Sequence, residues 1–193
     1  MERLLLRVLA NGRRDDKHHQ RQHHDPQHKR SDIVERVLAV IKAELRKLPR
    51  DVVALILNPF DEKRRRDVRD NPQRDRQSEA EQWLEKLRVN GQVRLLPYLS
   101  QNELWDLFLR AHVTVSVSAH DGTPNTLLEA MCCGCFPVTG DIESLREWLT
   151  PGVNGLLADP EQPQALAEAV LLALNPPEPR TAAAEQNFRL GAA

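Results

Sequence analysis

The sequence predicts an α/β fold, a doubly wound parallel sheet of about six strands with helices on both faces. Three observations predict it. Short, β-branched apolar runs recur along the chain, segments of helical period separate them, and Asn-Gly, Asn-Pro or glycine punctuation closes the strands. Strands that alternate with helices need crossover connections, which make the sheet parallel and cover both faces.

Leu4 to Ala10 is a first strand stopped at Asn11-Gly12, and Asp32 to Leu48 follows as a helix through Ile33, Val37, Val40, Ile41 and Leu45. Val52 to Leu57 is a second buried strand ended by Asn58-Pro59, and Glu79 to Val89 an amphipathic helix with Trp83, Leu84 and Leu87 inward. Val93 to Leu96 is the third strand. Ser100 caps the next helix with Glu103 three residues on, a capping box, and Leu104, Leu107 and Phe108 form the buried stripe. Val113 to Val117 is the fourth strand, and Asn125 to Cys133 the helix after it, with Leu127, Leu128 and Met131 toward the sheet. Phe136 to Thr139 and Gly155 to Leu157 supply the last two strands, and Gln164 to Leu174 an Ala/Leu helix ended by Asn175-Pro176-Pro177. The domain therefore runs over 1–175, with solvated charged inserts at 13–30 and 60–78 and a helical tail at 176–193.

Composition narrows the function classes. The chain has 193 residues and a net charge of −1, so its balance favours no polyanion, and nucleic acid is not expected as a partner. No apolar run approaches the ~20 residues of a membrane span, and Met1 to Ala10 is too short for a secretory signal. The three cysteines, clustered at Cys132, Cys133 and Cys135, give no disulfide framework, and the chain reads as cytoplasmic. As small apolar thiols at a helix end they are expected to pack rather than bind zinc. Five of the seven histidines fall in 13–30, which reads as a polar insert with no evident helical i, i+4 pair backed by a carboxylate base, so no metal site is assigned.

The chemistry is expected between Ser118 and Met131. Asp121 and Glu129 stand with seven residues between them, across a turn from an apolar strand into a helix. Pro124 suits the first helical position, because it needs no amide hydrogen. A helix start leaves N–H groups unpaired and carries partial positive charge, so a phosphate can dock around Thr123 to Thr126. Glu129, one turn in, can reach back to ribose hydroxyls, and Asp121 can reach a second polyol. In a parallel sheet such a turn lies on the carboxyl edge, where ligands bind.

Asp121-Gly122-Thr123-Pro124-Asn125-Thr126-Leu127-Leu128-Glu129-Ala130 resembles the donor-binding motif of retaining GT-B glycosyltransferases, most closely glycosyltransferase family 4, whose pattern is Glu, seven residues, Glu. Gly134, Pro137, Asp141 and Glu147 match the family's next βα step, and Gly152-Val153-Asn154-Gly155-Leu156-Leu157 its final glycine-rich turn, so the resemblance covers Val93 to Leu174. It implies the Rossmann-like carboxy-terminal half of a GT-B enzyme, which binds a nucleoside-diphosphate sugar and transfers the glycosyl group with retention, without metal or other cofactor. The acceptor site would come from an amino-terminal domain, and 193 residues fall short of both halves. Asp121 in the first position is one methylene shorter than the family Glu. Pro124 removes one N–H from the phosphate cradle, which the Asn125 amide or Thr126 hydroxyl would replace.

The resemblance also implies an Arg and a Lys from the first strand-to-helix loop beside the diphosphate. Arg13 follows Gly12 as the family Arg does; Lys29 precedes the expected helix start, and Lys17 is its rival. Gly122 and Thr123 belong to the cradle, and His120 lies next to it, either touching phosphate or sugar or packing the turn. Tyr98 falls where family members touch the nucleobase, or is a rim packing residue. The closing segment Thr181 to Leu190, Ala-rich and helical, resembles the family's last helix, which packs on the amino-terminal half, and is expected to be poorly anchored here. Two other readings stand beside the transferase: a non-catalytic nucleotide-sugar-binding module or subunit completed by a separate chain, and an inactive truncated transferase. A nucleotide-sugar epimerase of the same fold fits the motif less well.

Overall fold

The computed structural model describes residues 5–9, 28–44, 53–57, 76–88, 93–96, 99–117, 125–175 and 178–191. Among them are six strands: β1 (Leu5–Leu9), β2 (Val53–Leu57), β3 (Val93–Leu96), β4 (Val113–Ser116), β5 (Phe136–Gly140) and β6 (Leu156–Ala158). The helices are α1 (His28–Ile41), α2 (Arg76–Leu87), α3 (Gln101–Phe108), α4 (Asn125–Cys132), α5 (Glu143–Arg146), α6 (Pro163–Leu174) and α7 (Glu178–Gly191). Every strand pair is parallel, in the order β3-β1-β2-β4-β5-β6, a Rossmann-like sheet. No described helix is long and apolar enough to cross a membrane.

The central strand β4 shows why the sheet needs two layers. All four of its residues are buried, so both faces must be covered. Val113, Val115 and the following Val117 join Phe136 and Val138 of β5 in one cluster with α1, Leu84 of α2, and α6. The alternate residues face the other way. There Leu104, Leu107 and Phe108 of α3 pack with Ala130 of α4 and Cys135, while Leu127 and Met131 of α4 pack with Leu145 and Leu149 around α5.

Local signals account for most element ends. The Ser100 Oγ accepts from the Glu103 N–H, and the Glu103 carboxylate accepts from the Ser100 N–H at 2.7 Å, the reciprocal box that starts α3. At the end of α4, Gly134 has φ 87°; its N–H donates to the Met131 carbonyl and the Cys135 N–H to that of Ala130. That pair of bonds is a Schellman motif, which needs a left-handed residue and so favours glycine. Ala130 and Cys135, its two flanking apolar positions, pack in one cluster.

Several expectations shift. Helix α1 begins at His28 rather than Asp32 and ends at Ile41 rather than Leu48, so the last three residues of the 13–30 insert are helical. Likewise α2 begins at Arg76, inside the 60–78 insert. Val34 and Leu38 are buried in α1, whereas Val40 lies 37% exposed, because the apolar stripe is centred one position away from it. The short α5 falls within the βα step that the resemblance places over Gly134 to Glu147, though its bounds are not legible in the sequence.

The larger correction concerns α7. Expected to be poorly anchored, it is docked across the amino ends of β5 and β6. Ala183 and Asn187 are fully buried, and the Arg180 guanidinium donates to the carbonyls of Ala173 and Leu174 at 2.9 Å. The Asn187 Nδ2 donates to the carbonyls of Cys135 (3.4 Å) and Asn154 (3.1 Å), just ahead of those two strands. A Cβ at Gly134 would meet Ala184 at 3.8 Å, so the same glycine that ends α4 also faces α7.

Candidate functional site

The sheet register brings the carboxyl ends of three strands level, with Leu57 of β2 opposite Ser116 of β4 and Ser116 opposite Thr139 of β5. Helix α4 starts on that edge. Of the expected site residues, Asn125, Thr126 and Glu129 lie on it: Asn125 is exposed, Thr126 and Glu129 half-buried. His120, Asp121, Gly122, Thr123, Pro124, Tyr98 and Arg13 lie outside the described residues. Lys29 is described by its backbone alone, and it sits in the first turn of α1, not ahead of it. Nor is β1, the strand before Arg13, the neighbour of β4, since β2 stands between them.

Glu129 is not simply a solvated helix glutamate. Its Oε2 accepts a hydrogen bond from the Gln101 Nε2 at 2.8 Å, linking α4 to the first residue of α3 across 28 positions of sequence. Gln101 is the neighbour of Glu129 that sequence reasoning missed. The capping box locates the start of α3, but nothing in the sequence says what the first residue of that helix faces. The first turn of α4 contains no acidic residue, so the partial positive charge of its amino end is not opposed there. A negatively charged ligand approaching that end meets backbone N–H groups first, with the Glu129 carboxylate one turn behind.

The family Glycosyl transferases group 1 matches residues 33–189. The chain belongs to that family. A curated relative, the O-antigen chain mannosyltransferase B of Escherichia coli, is 33% identical over 93 residues, 48% of this chain and 24% of the relative. The matched stretch is thus about a quarter of the length of that enzyme. Among solved structures, the C-terminal domain of the group 1 glycosyl transferase LpcC from Francisella tularensis superposes with a TM-score of 0.67 at 18% identity, covering 97% of this chain and 84% of that one. Anabaena Alr3699/HepE, solved in complex with UDP-glucose, gives 0.63 at 17% identity, over 98% of this chain and 44% of that one. These likenesses establish the fold, a Rossmann-like half of the GT-B architecture.

In this group 1 glycosyl transferase domain the connections on either side of β5 are tied down. Asp141, directly after β5, accepts from the Arg146 Nε (2.6 Å) and Nη2 (2.8 Å), a bidentate pair that holds its carboxyl below the usual range, while the Asp141 N–H donates to the Ala158 carbonyl of β6. Asp141 is thus tied into the β5–α5 connection. Cys135 packs in the core and Cys133 against it, while Cys132 is half-buried. Burial pushes the Cys135 thiol far up, and its Sγ lies 3.2 Å from the Phe108 carbonyl. Burial also raises the Cys133 thiol, and the neighbouring Cys132 and Glu129 add to it.

Proposed function

We propose that this domain binds a nucleoside-diphosphate sugar on the turn into α4 and, completed by an acceptor-binding domain, transfers the sugar with retention and without a metal. The observation that carries this reading is Glu129, a half-buried, hydrogen-bonded carboxylate one turn inside a helix that starts on the carboxyl edge of the sheet, within the family match. HepE, of the same fold, holds UDP-glucose in its solved complex.

The roles follow from chemistry. Glu129 accepts from the ribose hydroxyls of the donor, and Asp121 from hydroxyls of the transferred sugar. Leaving-group charge builds on the diphosphate as the glycosidic bond breaks, and preorganised donors stabilise it. The donors we assign are the N–H groups of Gly122, Thr123, Asn125 and Thr126, with His120 as a further contact. Arg13 and Lys29 are the cations carried over from the family, and Tyr98 is the contact assigned to the base.

Isothermal titration with UDP, GDP and their glucose and mannose conjugates tests the reading. One of these is expected to bind, equally well with chelator present, and Glu129→Ala to weaken it by ~1–3 kcal/mol, the range for a lost hydrogen bond to a charged group. Absence of binding by every nucleotide and conjugate would overturn it.

A further inference from the structure

We infer that Gln101 is a positioning residue for the donor: its side-chain amide holds the Glu129 carboxylate in the orientation that receives the ribose. The inference rests on the proposed role of Glu129.

A glutamate has three side-chain torsions, and fixing them on binding subtracts from affinity. The 2.8 Å bond from the Gln101 Nε2 to the Glu129 Oε2 restricts them beforehand. A donor can do this only if it is itself held. Gln101 directly follows Ser100, whose N–H and Oγ both donate to the Glu103 carboxylate, at 2.7 and 2.6 Å, and below it Leu104, Leu107 and Phe108 anchor α3 in the core. The amide is neutral, which also matters. A Lys or Arg at this place would pair the carboxylate and lower its attraction for ribose hydroxyls, whereas an amide orients it and leaves its charge. Both side chains are half-buried, so the bond is partly sheltered from water and yet within reach of a ligand.

A role through Glu129 has a signature that a role in folding lacks. Gln101 is the first residue of α3, where the helix dipole favours negative charge and offsets part of the repulsion from Glu129, so Gln101→Glu is expected to lower thermal stability only slightly. The same variant places a second carboxylate against Glu129 and is expected to weaken nucleotide binding more than Gln101→Met, which keeps the length and lacks the donor.

The experiment titrates wild type, Gln101→Met, Gln101→Glu, Glu129→Ala and the Gln101→Met/Glu129→Ala double variant with UDP and GDP and with their 2′,3′-dideoxy forms. Gln101→Met is expected to weaken the ribose form by about two- to tenfold. It should have no effect on the dideoxy form, and none in the Glu129→Ala background. If Glu129→Ala weakens binding and Gln101→Met does not, the inference falls and the proposed function stands. If Gln101→Met weakens ribose and dideoxy forms alike, Gln101 acts through structure and the inference falls. If Glu129→Ala itself changes nothing while a nucleotide binds, the ribose role of Glu129 and the inference fall together.

Discussion

Gly155 has no room for a side chain. A Cβ there would stand 2.8 Å from Pro137 Cγ, 3.0 Å from the Pro137 carbonyl oxygen and 3.1 Å from Leu149 Cδ2, so backbone and ring both close the space. Gly155→Ala is therefore expected to destabilise the domain by ~1–3 kcal/mol, as overpacking does, read from urea unfolding. The glycine-rich turn was legible as a motif, but its reason is this contact between the entry to β6 and the neighbouring strand β5. Glu129 was legible for another reason, because spacing from a helix start fixes which turn a side chain occupies. Its partner Gln101 was not, since a hydrogen bond across 28 residues leaves no local trace in either segment.

Among the elements, α3 was read most fully, because a capping box is a chemical signal as well as a period. Its carboxylate makes it testable by pH. The Ser100 hydroxyl, and then its backbone N–H, hold Glu103 below the ordinary glutamate value. A depressed acid contributes stability that is present above its unfolded pKa and lost as pH falls through the folded one. Glu103→Gln keeps a side chain that can complete the box but removes the titration. Its melting temperature is expected to fall less than that of wild type between about pH 5 and pH 3, as followed by circular dichroism. The elements whose bounds were missed lacked such signals. Helix α5 has only four residues, and its N-cap, Ile142, makes no side-chain cap. The first turns of α1 and α2 are polar, His28 to Asp32 and Arg76 to Ser78, and without apolar period they read as parts of the charged inserts.

At the scale of the whole molecule, the parallel sheet with two helical layers followed from alternation, since successive strands separated by helices leave few other arrangements. Strand order did not follow, because hydrophobic pattern fixes that a strand is buried and not which strand lies beside it. That is why the placement of β2 between β1 and β4 could not be read from the chain. Nor could the docking of α7, whose composition is Ala-rich and whose decisive residue is a single asparagine. Asn187→Ala leaves the carbonyls of Cys135 and Asn154 without their buried partner, and a loss of ~1–3 kcal/mol is expected in chemical denaturation. Those bonds also impose an order in time. Asn187 lies 52 residues beyond Cys135 and 33 beyond Asn154, so during synthesis both earlier carbonyls leave the ribosome well before the group that satisfies them. Until α7 arrives those two carbonyls lack the Asn187 amide, and a nascent chain stalled before it would leave them to water or to chaperones.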